Sequence, residues 1–191
     1  MINLETLTNN WYTIRELSKL FKTEASLADR ANQYHALRNI GHGELWNSGR
    51  HNHIWIQDLL NCVSGGVLTI GGQGKKEPDL YGMINNKKVR IEVKGFVVEN
   101  EIRVSASKFF ANNGGMTQLK KCKTDKEKNE LILSHYSDDY YLLTKTNGDA
   151  MKNTKSIYDI NIYLIKTTDM VPQLKDGKSV PSSILDLSEA K

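Results

Sequence analysis

The stretch that decides the fold is Glu77-Pro-Asp-Leu-Tyr-Gly-Met-Ile-Asn-Asn-Lys-Lys-Val-Arg-Ile-Glu-Val-Lys94. Leu80 to Ile84 reads as a strand, Asn85-Asn86 as a tight turn, and Lys87 to Lys94 as the returning strand of a hairpin. Side chains alternate along a strand, so Val89, Ile91 and Val93 share one face while Arg90, Glu92 and Lys94 share the other. The apolar face is core. A carboxylate and an ammonium two residues apart on the second face need a reason, because a partly buried charge is costly unless it is paired or placed on a metal. Twelve residues separate Asp79 from Glu92, and the turn would bring both acids onto one divalent cation with Lys94 beside them. Pro78 fixes its own φ immediately before the first acid and helps to aim it.

Working outward, the chain before the hairpin is helical. Thr13-Ile-Arg-Glu16 fits a capping box opening a helix with Ile14, Leu17, Leu20 and Phe21 at helical spacing. A second helix is expected from about Glu24 to Asn39, and a third from about Asn52 to Val63. The first two could form a helix-turn-helix or, the favoured reading, a hairpin packed on the main domain. Val67 to Ile70 is a β-branched run, followed by the loop Gly71-Gly-Gln-Gly-Lys-Lys76. After the hairpin, Ile102–Val104 could extend the sheet, and a polar helix is expected from Met116 to about His135. Strands at Tyr140–Thr144 and Ile160–Lys166 complete the ordered part, and the chain after Val171 reads as a loosely attached tail. This order predicts an α/β (α+β) sheet with helices on its faces.

Composition narrows the function. The 191 residues carry 26 basic and 22 acidic side chains, a net of +4. Residues 61–130 hold 13 basic and 8 acidic groups, whereas 1–60 hold 6 of each and 131–191 hold 7 and 8. The excess positive charge therefore surrounds the acids of the hairpin, where its basic pairs could line a phosphate track. No apolar run reaches the ~18 residues of a membrane span. The start has no secretory-signal pattern, and two cysteines suit a reducing compartment, so a cytoplasmic location is expected. His51-Asn52-His53 spells HNH without the spacing of that nuclease class. No zinc-finger spacing, P-loop or G-x-S-x-G is present.

Pro78-Asp79, the twelve-residue gap and Glu92-Val93-Lys94 together resemble the motif of the PD-(D/E)xK nuclease superfamily, to which type II restriction endonucleases belong. The flanking order of helix, hairpin, helix and further strand is similar too, over roughly residues 50–166. The resemblance implies a restriction-endonuclease-like central mixed sheet flanked by helices. It divides the chain into a helical N-terminal extension (1–48), a nuclease domain (49–170) and a tail (171–191). It implies Mg²⁺ held by Asp79, Glu92 and the Val93 carbonyl, with Lys94 orienting the attacking water or stabilising the transition state. Whether one or two metals bind stays open. Asp58 could extend the acidic cluster, in competition with Glu44 and Glu77. Gln73, Lys75, Lys76, Gln118 and Lys120 are candidates for phosphate contacts, and Arg103, Asn112 and Asn113 for reading bases. The implied activity is Mg²⁺-dependent cleavage of duplex DNA at a short site by a homodimer, with a cognate DNA methyltransferase encoded nearby. A recombination nuclease or junction resolvase of the same fold is the nearest alternative. A non-catalytic DNA-binding regulator using the N-terminal helices is the alternative from another class.

Overall fold

The structure is a computed structural model that describes residues 4–37, 51–72, 77–96, 115–145 and 157–176. Its strands are β1 (Trp11–Thr13), β2 (Thr69–Ile70), β3 (Leu80–Ile84), β4 (Lys87–Phe96), β5 (Tyr140–Lys145) and β6 (Asn161–Lys166). Its helices are α1 (Ile14–Phe21), α2 (Glu24–Leu37), α3 (His51–Val63), α4 (Gly115–Leu119), α5 (Asp125–Leu133) and α6 (Thr167–Met170), with 3₁₀ turns at Leu4–Leu7 and Val171–Gln173. The strands form one mixed sheet in the order β1-β6-β5-β4-β3-β2. β4 and β5 are parallel and every other pair is antiparallel. A parallel neighbour cannot follow a tight turn, and the segment holding α4 and α5 supplies the crossover.

The two faces of the sheet are packed by different parts of the chain. Ile91 and Val93 of β4, with Leu142 and Leu164, meet α1, α2 and α3 through Leu17, Leu27, Leu59 and Leu60. On the other face Tyr141, Leu143 and Ile165 meet Ile132 of α5, Met170 of α6, and Val171 and Leu174. The helix starts are encoded locally. The Thr13 hydroxyl accepts from the Glu16 N–H while the Glu16 carboxylate accepts from the Thr13 N–H, a full capping box opening α1.

Several sequence expectations are corrected. The helix expected over 116–135 is two helices, because Thr124 and Glu127 form a second capping box that starts α5 afresh. The β-branched run from Val67 yields strand only at Thr69–Ile70. The first 48 residues are not purely helical. β1 lies at the sheet edge, pairing Trp11 with Tyr163 of β6. Residues 171–176, read as loose tail, are packed: Val171 and Leu174 are buried, and the Asn129 amide donates to the carbonyls of Pro172 and Leu174, both at 3.3 Å. His51 and His53 stand in a continuous helix, not in a ββα metal frame. The expected strand at Ile102–Val104 lies outside the described residues.

Two phenols are held in the two cores. Tyr34 donates to the Asp58 carboxylate and to the Trp55 carbonyl (3.1 Å). Burial, and then the hydrogen bond to Asp58, pushes its pKa above the ordinary 10.0. Tyr141 is pushed up by burial first and then by the charges of Glu92, Asp138 and Asp79. A raised folded-state pKa gives stability that is complete below 10.0 and is lost as the pH climbs above it, because only the unfolded chain can ionise there. Among the eight tyrosines, Tyr34 and Tyr141 are therefore expected to ionise only in a cooperative step that coincides with unfolding, read by phenolate absorbance against circular dichroism. Tyr141→Phe should move that alkaline midpoint to higher pH, and unchanged alkaline unfolding would contradict the assignment.

Candidate active site

The site is built by the register of one hairpin. Asn85 and Asn86 both adopt left-handed backbone, φ 50° and 60°, the combination a two-residue turn needs to match strand twist and one that asparagine tolerates. The register that follows pairs Tyr81 with Arg90 and Leu80 with Ile91. One step further places Asp79 across from Glu92. There the ladder gives way to a side chain, since the Val93 N–H donates to Asp79 Oδ2 at 2.9 Å. N–H and C=O of one strand residue point to the same edge, so the Val93 carbonyl is directed to the Asp79 side as well.

Gly71 fixes the other side of the motif. Its N–H donates to the Asp79 carbonyl at 2.9 Å. The backbones approach so closely that a Cβ at Gly71 would stand 1.9 Å from the Pro78 carbonyl oxygen. Only glycine fits here without moving Pro78 and Asp79. At Gly72 a Cβ would meet only the Glu77 side chain, at 2.6 Å from its Cγ. The Glu77 carboxylate accepts from the Tyr81 hydroxyl at 2.6 Å.

Glu92 is 1% exposed, and the Lys94 ammonium lies 2.5 Å from its Oε1 with 17% of the lysine side chain exposed. Beside Glu92 in β5 stands Tyr141, so one flank of the pair is an aromatic wall that excludes water. A further buried acid was not singled out from the sequence. Asp138 is 3% exposed and its Oδ1 lies 3.4 Å from Arg90 Nε, while Asp139 Oδ2 accepts from the Arg90 N–H at 2.9 Å. Arg90, Glu92 and Lys94 thus run along one face of β4, as alternation predicts. The signal that could have found Asp138 was the Asp-Asp pair just before the β5 strand run.

The other candidates divide. Asp58 is turned to the opposite side of the sheet, where Tyr34 donates to it and Arg30 Nε lies 3.4 Å away. Its helix packs on the Val93 face, whereas Glu92 points to the other, so the expected accessory acid is not joined to the pair. Gln118 and Lys120 are exposed around the end of α4. Leu119 packs against the core containing Tyr141, which puts this segment on the Glu92 face of the sheet. Tyr140 and Tyr141 are packed in the sheet, and Tyr136 is exposed. Gln73, Lys75, Lys76, Glu44, Arg103, Asn112 and Asn113 lie outside the described residues.

Chemically, Asp79 and Glu92 offer hard carboxylate oxygens on adjacent strands, with the Val93 carbonyl directed to the same edge. This donor set suits Mg²⁺, which takes one or two carboxylates, keeps waters and accepts a substrate phosphate. Among the described residues, no group of three or more His, Cys, Asp or Glu side chains converges as a closed cage for an ion.

The Glu92–Lys94 pair carries a stability signature. Removing one partner of a buried ion pair strands the other charge and destabilises by about 3–5 kcal/mol. Lys94→Met is expected to lose stability on that scale in urea unfolding, and adding Glu92→Gln should recover most of it. Equal stability of wild type and Lys94→Met would show that the pair is solvated rather than buried. Comparison with family models, curated proteins and solved structures returned no match for this chain.

Proposed function

We propose that the chain is a Mg²⁺-dependent endodeoxyribonuclease of PD-(D/E)xK type that hydrolyses phosphodiester bonds in duplex DNA, in the manner of a type II restriction enzyme. The observation that carries this reading is the juxtaposition of Asp79 with the Glu92-Val93-Lys94 segment across a registered hairpin, sealed by the Asp79–Val93 hydrogen bond. The element order supports it. A helix, the hairpin, a helical crossover and a further strand follow one another in the order the superfamily resemblance implies, within a six-stranded mixed sheet flanked by helices.

Asp79, Glu92 and the Val93 carbonyl would hold the metal. When bound, it supplies a water of lowered pKa and neutralises charge on the scissile phosphate. The protein's own contribution is positional and electrostatic. Lys94, held by the Glu92 carboxylate, presents a fixed positive charge to the oxygen that gains negative charge as the phosphate is attacked. Tyr141 excludes water from one side, which strengthens that interaction. Duplex cleavage at a two-fold site takes two such centres, hence a homodimer.

The direct test is cleavage of plasmid and phage DNA with and without Mg²⁺. Asp79→Ala and Glu92→Ala should abolish cleavage, and Lys94→Ala should slow it by about 10²–10³-fold. Discrete fragments support restriction, cleavage confined to branched DNA supports a resolvase of the same fold, and binding without cleavage sinks the enzyme reading.

The two glycines give a finer test. Gly71→Ala must displace the backbone that aims Asp79, and a shift of about 1 Å at a reacting group costs on the order of 10²-fold in rate. Gly72→Ala meets only a flexible side chain and should cut at a rate close to wild type. Equal rates for the two variants would contradict this placement of Asp79.

A further inference from the structure

The face of β4 that carries Glu92 and Lys94 does not end at the acidic pair. Two and four residues earlier it presents Arg90 and Lys88, flanked in β3 by Tyr81 and Met83, which pair with them in register. The helical cover of this face rests on β5 and β6, through Ile132, Met170 and Val171. Over the β3–β4 half, none of the described helices packs on this face. Met83 is 49% exposed, Lys88 is exposed, and Tyr81 and Arg90 are half-buried. The strip of Met83, Tyr81, Lys88 and Arg90 leads to the buried Glu92–Lys94 ion pair.

Both cations are positioned by neighbouring groups. The Lys88 ammonium sits 3.8 Å from the centre of the Tyr81 ring, a contact that orients an ammonium without neutralising it. The ring is itself tethered by the Tyr81 hydroxyl to Glu77, the residue that opens the Glu-Pro-Asp sequence. The Arg90 guanidinium is ion-paired with Asp138, Nε to Oδ1 at 3.4 Å, and its backbone N–H donates to Asp139. Same-face residues on a strand repeat every ~6.6 Å, comparable to the separation of successive phosphates along one nucleic-acid strand.

We infer that this strip is a phosphate track, on which Lys88 and Arg90 bind consecutive backbone phosphates of duplex DNA and lead the next one to Glu92 and Lys94. The occupant is selected by the solvent-facing cations, exposed Lys88 and half-buried Arg90, set at a spacing that a phosphate backbone matches. The track rests on the nuclease reading and adds to it the path of the cleaved strand. Asp138 is then a positioning residue, acting through Arg90.

Lys87 provides an internal control, since it has the same charge, the same exposure and an adjacent position, yet alternation puts it with Val89 and Ile91 on the other face. Binding of a short fluorescent duplex by the full chain, in EDTA so that no cutting occurs, is measured across a salt series for wild type, Lys87→Ala and Lys88→Ala. Loss of one phosphate contact lowers the slope of log K against log salt by about 0.9. Lys88→Ala should show that decrease with several-fold weaker binding, and Lys87→Ala should match wild type. Arg90→Gln should add a similar decrease. Because it strands the buried Asp138, it is read beside Arg90→Gln/Asp138→Asn, in which that charge is removed.

Equal slopes for Lys88→Ala and wild type, or equal losses for Lys87→Ala and Lys88→Ala, overturn the track. If wild type nonetheless cleaves DNA in Mg²⁺, the nuclease reading survives that result. A wild-type chain that neither binds nor cleaves DNA overturns both.

Discussion

Asn85 and Asn86 bend the chain through two left-handed residues, and the alignment of every facing pair in the hairpin follows from that bend. A slip of one residue would turn Glu92 to the helix-covered face and Val93 to the acidic one, exchanging core and site in a single step. The apolar alternation of Val89, Ile91 and Val93 holds the same register from the other side, since these residues have no other place to be buried. Turn chemistry and core packing therefore enforce one arrangement, and Asp79 meets Glu92 as its consequence.

The sheet uses its two faces differently. Three N-terminal helices cover one face with an almost wholly apolar interface. The other is split between an apolar half over β5 and β6 and a charged half over β3 and β4. Glu92, Lys94 and Tyr141 stand at that division. Burial there is deep enough to strengthen electrostatic interactions, and exposure begins one residue pair away, so the charged pair lies close to solvent. Gly71 and Pro78 show how closely the backbone is drawn in behind the first acid.

Much of this was legible because it is written in short-range patterns. Period-two alternation and the Asn-Asn pair located the hairpin and its acids, and Thr13 with Glu16 located α1. Elsewhere the signals were equivocal or non-local. Thr124 and Glu127 carry the same capping pattern as Thr13 and Glu16, but a continuous polar stretch hid the break between α4 and α5. Asp58 has helical neighbours on every side, and no periodicity says which face of α3 meets Tyr34 and Arg30. Asp138 is buried by long-range pairing with Arg90, a contact 48 residues apart in sequence. The packing of Val171 and Leu174 depends on α5 arriving above them, which no local window contains.

The pairing of β1 with β6 has a consequence for how the molecule assembles. Trp11 meets Tyr163, so this edge closes a loop spanning most of the chain, whereas the Asp79–Glu92 hairpin closes one of a few residues. Closure entropy rises with loop length, and non-local pairing is slow to reward it. The acidic hairpin is therefore the piece of the sheet that forms most readily, and the joining of β1 to β6 is the step that completes the sheet. The chemistry-bearing element is local in sequence, and the long-range contacts are spent on enclosing it.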